Sequence, residues 1–390
     1  MNKAETEGTP HRIRSTGRRY EHLDMIRGLA AFAVLIGHVR GFVFTDFGTV
    51  SSGRMLAAPF YFVTGLGHQA VIIFFALSGF LVGGSAIREI YRRGWNAADY
   101  AVHRFTRLWT TLAPALVLTA LFDFTGRDLL HLRGYGGEYW SMLSSGPFAQ
   151  TPASLSPVTF LGNLGFLETI AVPVFGTNGP LWSLANEFWY YFLIPFAWVA
   201  LRGGVRLAWR IAAGCFALLA ALLLPRELLL LGSIWIFGAL AFFGVPWVRS
   251  QSVARRRVLM GLTLLLTCLG LAVSIARPSV ASDVGLGLCW AALLPGLAAT
   301  PGIGGLYGRT AFALSEVSFT LYVVHFPLIA LLWFWLVAPV QFPLGAVGLC
   351  LWLGLILAAL AVATAMWWLF ERNTGRIRRR VHGWLIGPSR

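Results

Sequence analysis

The sequence predicts an all-α protein that crosses a membrane about ten times, and three observations lead to this fold class. Of the 390 residues, 57% are hydrophobic and only 12% are charged, whereas soluble chains carry about 25% charged residues. Apolar stretches long enough to cross a bilayer recur from residue 25 to about residue 370. Basic residues cluster between these stretches. The composition excludes a soluble domain, a disordered chain and a disulfide-stabilised scaffold.

The individual spans follow from the length of about 20 apolar residues that a transmembrane helix needs. The ten candidates are residues 25–44, 57–87, 107–122, 180–201, 208–224, 227–244, 258–276, 284–299, 314–338 and 343–369. The second candidate is too long for one simple crossing. Because it contains Pro59 and then a polar and glycine-containing stretch at 65–69, we expect it to break into two pieces.

The distribution of basic residues predicts the orientation. With a cytoplasmic N-terminus, inside segments hold 24 basic residues and outside segments hold 6, while Arg27 lies within the first helix. This bias is typical of cytoplasmic loops, so both termini are expected in the cytoplasm. The expected domains are a disordered basic cytoplasmic tail at 1–19, a ten-helix membrane domain at 20–372 and a basic cytoplasmic tail at 373–390.

The net charge of +15 has the same explanation. Arginines in cytoplasmic loops face anionic lipid, so membrane lipid is the expected partner and nucleic acid is not. The cysteines lie inside apolar segments and read as small buried hydrophobic residues. His68, His103 and His131 are too scattered to suggest ligands, so no metal site is expected. The oligomeric state is not predicted.

One outside loop, residues 123–179, is much longer than the other connections and is rich in Gly, Ser and Pro. Long loops in compact proteins are usually functional. The loop ends in the turn Asn178-Gly179-Pro180, which leads directly into the fourth span.

Ionisable residues inside spans are costly and mark candidate functional positions. In the first helix, Arg27 and His38 are 11 residues apart, which places them on one face and roughly 16 Å apart along the axis. Asp24 lies one turn before Arg27 on nearly the same stripe. The alternative is that Arg27 extends to the lipid headgroups and that His38 is a satisfied core histidine.

Three further groups favour a functional reading. Arg104 and Arg107 lie one turn apart at the start of the third span, where they suit phosphate groups or simple anchoring at the interface. Polar residues enter the fourth span, where a carboxylate is hard to explain unless it pairs: Trp182, Ser183, Asn186 and Glu187. The ninth span holds Ser318, Tyr322 and His325 at roughly helical spacing. By contrast, Ser78 and Gly79 predict close helix packing.

In these residues the chain resembles the acyltransferase-3 family of integral-membrane acyltransferases. The family's R-x10-H element matches Arg27 to His38, its RxxR element matches Arg104 to Arg107, and three longer elements match in the same order. These are FFxLSGFL at 74–81, PLWSLxxE at 180–187 and SxxLYxxHxP at 318–327. Three positions depart from the family pattern. Phe319 stands where Tyr is frequent, Glu371 is not followed closely by Pro, and residues 69–73, before the FF pair, lack the acid that is frequent there.

The resemblance implies a multi-pass protein of the bacterial cytoplasmic (inner) membrane that moves an acyl group from cytoplasmic acyl-CoA, with acetyl-CoA expected, to a hydroxyl of an extracytoplasmic saccharide or glycosylated metabolite. It implies His38 as general base, with Glu187 orienting the imidazole or positioning the sugar, and with the phosphates of CoA on Arg27, Arg104 and Arg107. The expected substrate-binding residues are Asp24, Trp182, Ser183, Asn186, Tyr322 and His325. Direct transfer and an acyl-histidine intermediate both remain open. The alternative function is a transporter or flippase for a glycan or lipid-linked intermediate.

Overall fold

The computed structural model describes residues 20–50, 53–93, 96–143, 153–202 and 205–386. The predicted tail at 1–19 and part of the 123–179 loop lie outside these residues. The described segments are helical and are connected by turns, short 3-10 or π-helical pieces and isolated bridges.

The described residues contain fifteen α-helices, numbered here in chain order. They are α1 (Glu21–Val43), α2 (Arg54–Thr64), α3 (Gly67–Ser78), α4 (Gly84–Arg93), α5 (Ala97–Phe124), α6 (Pro157–Leu164), α7 (Leu181–Leu201), α8 (Leu207–Leu223), α9 (Arg226–Ala241), α10 (Val245–Ser250), α11 (Val253–Ala276), α12 (Val280–Ala299), α13 (Gly305–Leu336), α14 (Ala346–Leu369) and α15 (Thr374–Leu385).

The all-helical, multi-pass fold class is confirmed at this level. Eight helical stretches of the described chain are long and apolar enough to cross a membrane. The fourth and fifth predicted spans correspond to α7 and α8. Helix α8 has 17 residues, and α7 carries Ser183, Asn186 and Glu187 in its first two turns. The count of ten and the orientation of the termini stay predictions.

The long second span is interrupted as the sequence predicts. The interruption lies at Gly65 and Leu66, between α2 and α3, while Pro59 is accommodated inside α2. After α3 the chain continues through one π-helical stretch, Gly79–Gly83, into α4. The α2–α3 interruption brings Gly67 against α1, since a Cβ added at Gly37 of α1 would lie 3.8 Å from the Gly67 backbone.

The outer surface of the bundle is apolar, as a lipid-facing surface must be. Helix α11 illustrates this, because a row of its leucines is at least half exposed: Leu262, Leu264, Leu265, Leu266 and Leu269. In water such a surface would be an aggregation hazard, whereas in a bilayer it meets hydrocarbon chains.

Small residues bring the inner helices into backbone contact. A Cβ placed on Gly79 would lie 1.9 Å from the carbonyl oxygen of Trp235 in α9, and one placed on Gly238 would lie 2.1 Å from the carbonyl oxygen of Ala76 in α3. Association of helices in lipid depends on such close packing, since lipid chains are as apolar as the helix surface. The predicted packing role of Gly79 is confirmed.

A backbone carbonyl that a proline leaves free in α13 connects the long loop to the bundle. Pro327 has no N–H, so it leaves the carbonyl of Val323 without its helical partner. Asn178, in the turn before α7, donates its Nδ2 to that carbonyl at 2.9 Å and to Thr119 Oγ1 at 3.0 Å. The polar side chain of the loop thereby satisfies a backbone group that hydrocarbon would leave unpaired.

A second set of hydrogen bonds fixes the C-terminal end of the same loop. Asp123 accepts hydrogen bonds from Thr177 N at 2.6 Å and from Thr177 Oγ1 at 2.8 Å. Gly176 has φ +58° and a Cβ there would lie 2.1 Å from Asp123 Oδ2, so both its backbone conformation and its lack of a side chain are needed.

The C-terminal segment, predicted as a basic tail, contains α15, which packs against α5. His382 Nε2 lies 3.1 Å from Asp99 Oδ1, and Thr374 Oγ1 lies 2.9 Å from Thr110 Oγ1. The helix exposes Trp384 and several arginines, the pattern of a helix that lies in a membrane interface.

We expect Gly79→Ala to destabilise the protein by about 1–3 kcal/mol or more, because the added methyl group meets a backbone carbonyl that cannot turn away. The measurement is the thermal unfolding midpoint of the purified protein in detergent. Gly261→Ala is the matched control, since a Cβ there meets nothing within 4 Å. Equal midpoints for the two variants would contradict the packing described for α3 and α9.

Candidate active site

The centre of the site is a pair of histidines on neighbouring helices. His38 of α1 and His325 of α13 face each other, with His38 Nδ1 2.7 Å from His325 Nε2. His325 is buried and its other nitrogen, Nδ1, lies 2.8 Å from the carbonyl oxygen of Leu321. Phe326 packs its ring edge against His38 with the ring centroids 5.2 Å apart. Both histidines were singled out in the sequence, and the structure brings them into direct contact.

The carbonyl of Leu321 determines which ring nitrogens carry hydrogen in the neutral pair. A carbonyl oxygen only accepts, so His325 Nδ1 donates to it and His325 Nε2 is left with a lone pair. That lone pair accepts from His38 Nδ1–H. His38 Nε2 therefore has a free lone pair and is able to take a proton. A positive charge formed on His38 would strengthen its hydrogen bond to His325.

Three arginines from two helices meet at one cavity, named here the arginine cavity. Its volume is about 170 Å³, and its lining includes Arg27, Arg104, Arg107, Glu187 and Tyr322. The Nε atoms of Arg27 and Arg104 are buried without a hydrogen-bond partner among the described residues. A buried guanidinium donor without an acceptor suits an anionic ligand.

The two arginines of the RxxR element have different surroundings. Arg107 Nη1 lies 2.6 Å from Glu371 Oε1, and Glu371 is almost completely buried. The other carboxylate oxygen of Glu371 accepts from the backbone and side chain of Thr320. Arg104 instead lies over the rings of Tyr100 and Tyr191, at 5.6 and 5.7 Å from their centroids. Glu371 thus fixes one arginine, while aromatic rings support the other.

Arg27 pairs with Asp24 as their spacing predicts, with Arg27 Nη2 3.1 Å from Asp24 Oδ1. The expected contact between Asp24 and a substrate is not tested by this geometry. The pair does show that the charge of Arg27 is partly balanced inside α1 at the edge of the cavity.

Glu187 was expected to orient the His38 imidazole or to position the sugar, and its hydrogen bonds in the structure go to other residues. Glu187 Oε1 accepts from Ser78 Oγ at 2.6 Å and from the hydroxyl of Tyr191, and the ring of His38 is oriented by His325. The reason is the direction of the Glu187 side chain, which lies on the α7 face that lines the arginine cavity. Ser78, expected only to pack, is therefore also part of the site.

A second, larger cavity of about 650 Å³ lies on another face of α7 and is named here the tryptophan cavity. Trp182 and Asn186, one turn apart, line it together with residues of the long loop and of helices α3, α9 and α12. Ser183 and Glu187, the next residues along the helix, line the arginine cavity. Helix α7 thus separates the two cavities.

Ser183 and Tyr322 connect the arginine cavity to the histidine pair. Their hydroxyl oxygens are 2.6 Å apart, and Tyr322 also donates to the carbonyl of Pro180 at 3.1 Å. The Tyr322 ring centroid lies 6.1 Å from that of His325. The arginine cavity therefore extends to within one side chain of the histidines, although His38 is not among the residues that line either cavity.

Several polar contacts of the site were not expected from the sequence. Tyr191, Thr320 and the acceptor role of Glu371 depend on contacts between helices that are far apart in the chain. In the described segments, no group of three or more His, Cys, Asp or Glu is placed to hold a metal ion.

Together the apolar bundle, the histidine pair and the arginine cavity define an integral-membrane protein with a buried polar site. Residues 20–368 match the family described as an acyltransferase domain, and the chain belongs to this acyltransferase-3 family. It is similar to an O-acetyl transferase of Shigella phage Sf6, with 28% identity over 193 residues. That alignment covers 46% of each protein, so the chain matches about half the length of this relative. No solved structure matches the chain.

One buried carboxyl group of the long loop, that of Glu168, differs from that of Asp123 because it has no hydrogen-bond partner in the described part of the chain. Glu168 has no exposed surface, and neither carboxyl oxygen has a hydrogen-bond partner among the described residues. It lies between Phe166 and Thr169, which have φ of 57° and 62° in the left-handed region. Burial raises the pKa of Glu168 from its ordinary 4.5 to about 8.

We expect the contribution of Glu168 to the free energy of unfolding to fall as the pH rises from about 4.5 to about 8. In that range folded Glu168 keeps its proton and unfolded Glu168 does not, so the folded state binds more protons and loses stability as they become scarce. Glu168→Gln removes this dependence, and its advantage over the natural protein grows from pH 5.5 to pH 8.5.

The measurement is the thermal midpoint at several pH values for both proteins, with the exposed Glu138→Gln as control. Parallel pH curves for the natural protein and Glu168→Gln would rule out an unusual titration of this residue.

Proposed function

We propose that the protein is a membrane O-acyltransferase that moves an acyl group, preferably acetyl, from cytoplasmic acyl-CoA to a hydroxyl of an extracytoplasmic saccharide or glycosylated metabolite. The observation that carries this proposal is the chain of hydrogen bonds from Leu321 through His325 to His38, next to a cavity with three arginines. Membership of the acyltransferase family and the likeness to a phage O-acetyl transferase support it.

The arginine cavity fits the narrow end of the donor. A cavity of about 170 Å³ resembles in size the cavity of about 150 Å³ that holds benzene in an apolar protein core. A cavity of this size is large enough for a short acyl thioester but not for a nucleotide. The phosphates and the nucleotide would therefore lie at the mouth of the cavity, where Arg104 and the partly exposed Arg107 meet the neighbouring segments predicted to be cytoplasmic.

The reaction needs one base and balances without a further reactant. His38 Nε2 takes the proton of the acceptor hydroxyl, and the oxygen of that hydroxyl attacks the carbonyl carbon of the thioester. The C–S bond then breaks, and the thiolate leaves with the proton held by His38, which gives free CoA and the ester. His325 acts as a positioning residue, because it holds His38 in the tautomer with a free Nε2.

We expect His38→Ala to lower the rate of acyl transfer by at least about 10²–10⁴-fold, the usual contribution of a general base. The protein should still insert into the membrane and keep its affinity for acetyl-CoA. The measurement is single-turnover transfer of radiolabelled acetyl from acetyl-CoA in membranes that produce the natural protein or the variant. Substantial activity of His38→Ala would remove His38 from the mechanism.

The role of His325 has its own test. The Oε1 atom of Gln can occupy the place of His325 Nε2 and accept from His38 Nδ1–H, whereas Phe cannot. His325→Gln should therefore retain more transfer activity than His325→Phe, with similar KM for acetyl-CoA in both. If the two variants lose activity equally while both stay folded, His325 has a packing role only.

Removal of both arginines of the RxxR element should weaken donor binding. Each charge-assisted hydrogen bond to phosphate contributes about 1.5–3 kcal/mol, so Arg104→Ala with Arg107→Ala should raise the Kd for acetyl-CoA at least about tenfold. The measurement is the concentration dependence of thermal stabilisation by acetyl-CoA. Arg127→Ala is the control, because Arg127 pairs with its neighbour Asp128 away from the cavity.

This measurement also separates the enzyme from a transporter. A transporter for a glycan or lipid-linked intermediate has no reason to bind acyl-CoA. An absence of stabilisation of the natural protein by acetyl-CoA would therefore count against the proposed enzyme. An unchanged Kd for acetyl-CoA in the double variant would mean that both arginines only anchor the helix at the membrane interface.

A further inference from the structure

The tryptophan cavity contains a hydrogen-bonded histidine–aspartate pair that no motif of the sequence indicates. His68 Nε2 of α3 lies 2.8 Å from Asp283 Oδ2 of α12. The second carboxylate oxygen, Oδ1, accepts from Ser274 Oγ at 3.2 Å, and Ser274 Oγ in turn accepts from Gln69 Nε2 at 3.2 Å. Both oxygens of the buried Asp283 are therefore engaged, and the carboxylate is held in one position.

The geometry leaves one hydrogen-bonding atom of His68 available. A carboxylate accepts hydrogen bonds, so His68 Nε2 carries the hydrogen and donates to Asp283. His68 Nδ1 then has a lone pair, and it has no hydrogen-bond partner among the described residues. The side chain is 51% exposed and lines the tryptophan cavity. His68 thus offers a fixed acceptor to a ligand that fills this cavity.

The other walls of the cavity suit a polyhydroxylated ring. Trp182 offers an indole face, Asn186 an amide with donors and an acceptor, and Glu227 a carboxylate from α9. Leucines of α9 and segments of the long loop complete a mainly apolar lining. A volume of about 650 Å³ lies within the range of about 300–1,000 Å³ that small-molecule sites occupy.

The cavity lies at the level of the histidine pair. His68 follows Gly67, whose backbone meets Gly37 of α1, the residue before His38. On its other side, Trp182 contacts Phe75 with ring centroids 6.2 Å apart, and Phe75 lines the arginine cavity. The two cavities therefore share a wall formed by these two rings, close to the depth of His38.

We propose that the tryptophan cavity is the acceptor site, that Trp182 stacks on the apolar face of a sugar, and that His68, fixed by Asp283, accepts a hydrogen bond from one of its hydroxyl groups. This inference rests on the proposed function and adds to it a site and a residue that selects the acceptor. Loss of a hydrogen bond to a substrate hydroxyl discriminates strongly, because the partner group in the site is left unpaired.

The experiment uses the full chain in lipid nanodiscs and methyl glycosides of glucose, galactose, fucose and N-acetylglucosamine as probes. Two quantities are measured for each glycoside, its Kd from thermal stabilisation and its KM in acetyl transfer from acetyl-CoA. His68→Phe keeps a planar ring and removes both nitrogens. We expect it to raise Kd and KM for a glycoside that binds by about tenfold, with an unchanged KM for acetyl-CoA.

Two further variants keep the test decisive. In His68→Asn, the Oδ1 atom can occupy the place of Nδ1, so glycoside binding should recover in part. His131→Asn alters another histidine, which lies in the outer loop at φ 50°, a conformation that asparagine tolerates, and it should change nothing. The stabilisation of His68→Phe by acetyl-CoA shows that the variant is folded.

The outcomes separate this inference from the proposed function. If glycosides bind and His68→Phe weakens them but no protein transfers acetyl, the site stands and the proposed enzyme fails. If acetyl is transferred and His68→Phe has the glycoside constants of the natural protein, the enzyme stands and the acceptor site is refuted. Absence of stabilisation of the natural protein by every glycoside would also refute it.

Discussion

The hydrogen bond between His38 and His325 is the contact on which the rest of the site depends, and it joins the two helices α1 and α13. His38 Nδ1 is the donor and His325 Nε2 the acceptor, because the Leu321 carbonyl fixes the His325 tautomer. Farther along α13, Pro327 frees the Val323 carbonyl, which then binds Asn178 of the long loop. One helix therefore sets the protonation pattern of the pair and anchors the turn from which α7 begins.

Because α7 starts from that anchored turn, its two polar faces line two different cavities. Ser183 and Glu187 line the arginine cavity, whereas Trp182 and Asn186 line the tryptophan cavity. A group transfer across a membrane needs two reactants that arrive from different sides and meet at one base. In the proposed function, α7 meets this requirement with one polar face toward each cavity and without a continuous pore.

The sequence predicted the all-helical, multi-pass fold class because that class depends on local signals, and it singled out His38 and His325, which the structure brings together. Apolar length predicts helices, and helical spacing correctly places Arg27 beside Asp24. The direction of Glu187 was not predictable, since it depends on Ser78 and Tyr191 meeting across helices. The His68–Asp283 pair, 215 residues apart in the chain, was missed for the same reason: nothing local relates two residues that only tertiary packing brings together.

The arginine cavity also shows how a membrane protein keeps cations at a site without losing stability. Arg27 is paired with Asp24 and Arg107 with Glu371, whereas no carboxylate of the described residues lies within 4 Å of Arg104, which is supported by Tyr100 and Tyr191. Complete pairing would neutralise the cavity and remove its attraction for an anion. Absence of pairing would place three uncompensated charges in a medium of low dielectric constant, which costs several kcal/mol for each ion. Glu187, the third carboxylate at the cavity, accepts from Ser78 and Tyr191. Arg104 is therefore the arginine that rests on aromatic rings, and an anionic ligand gains most beside a guanidinium without a carboxylate partner.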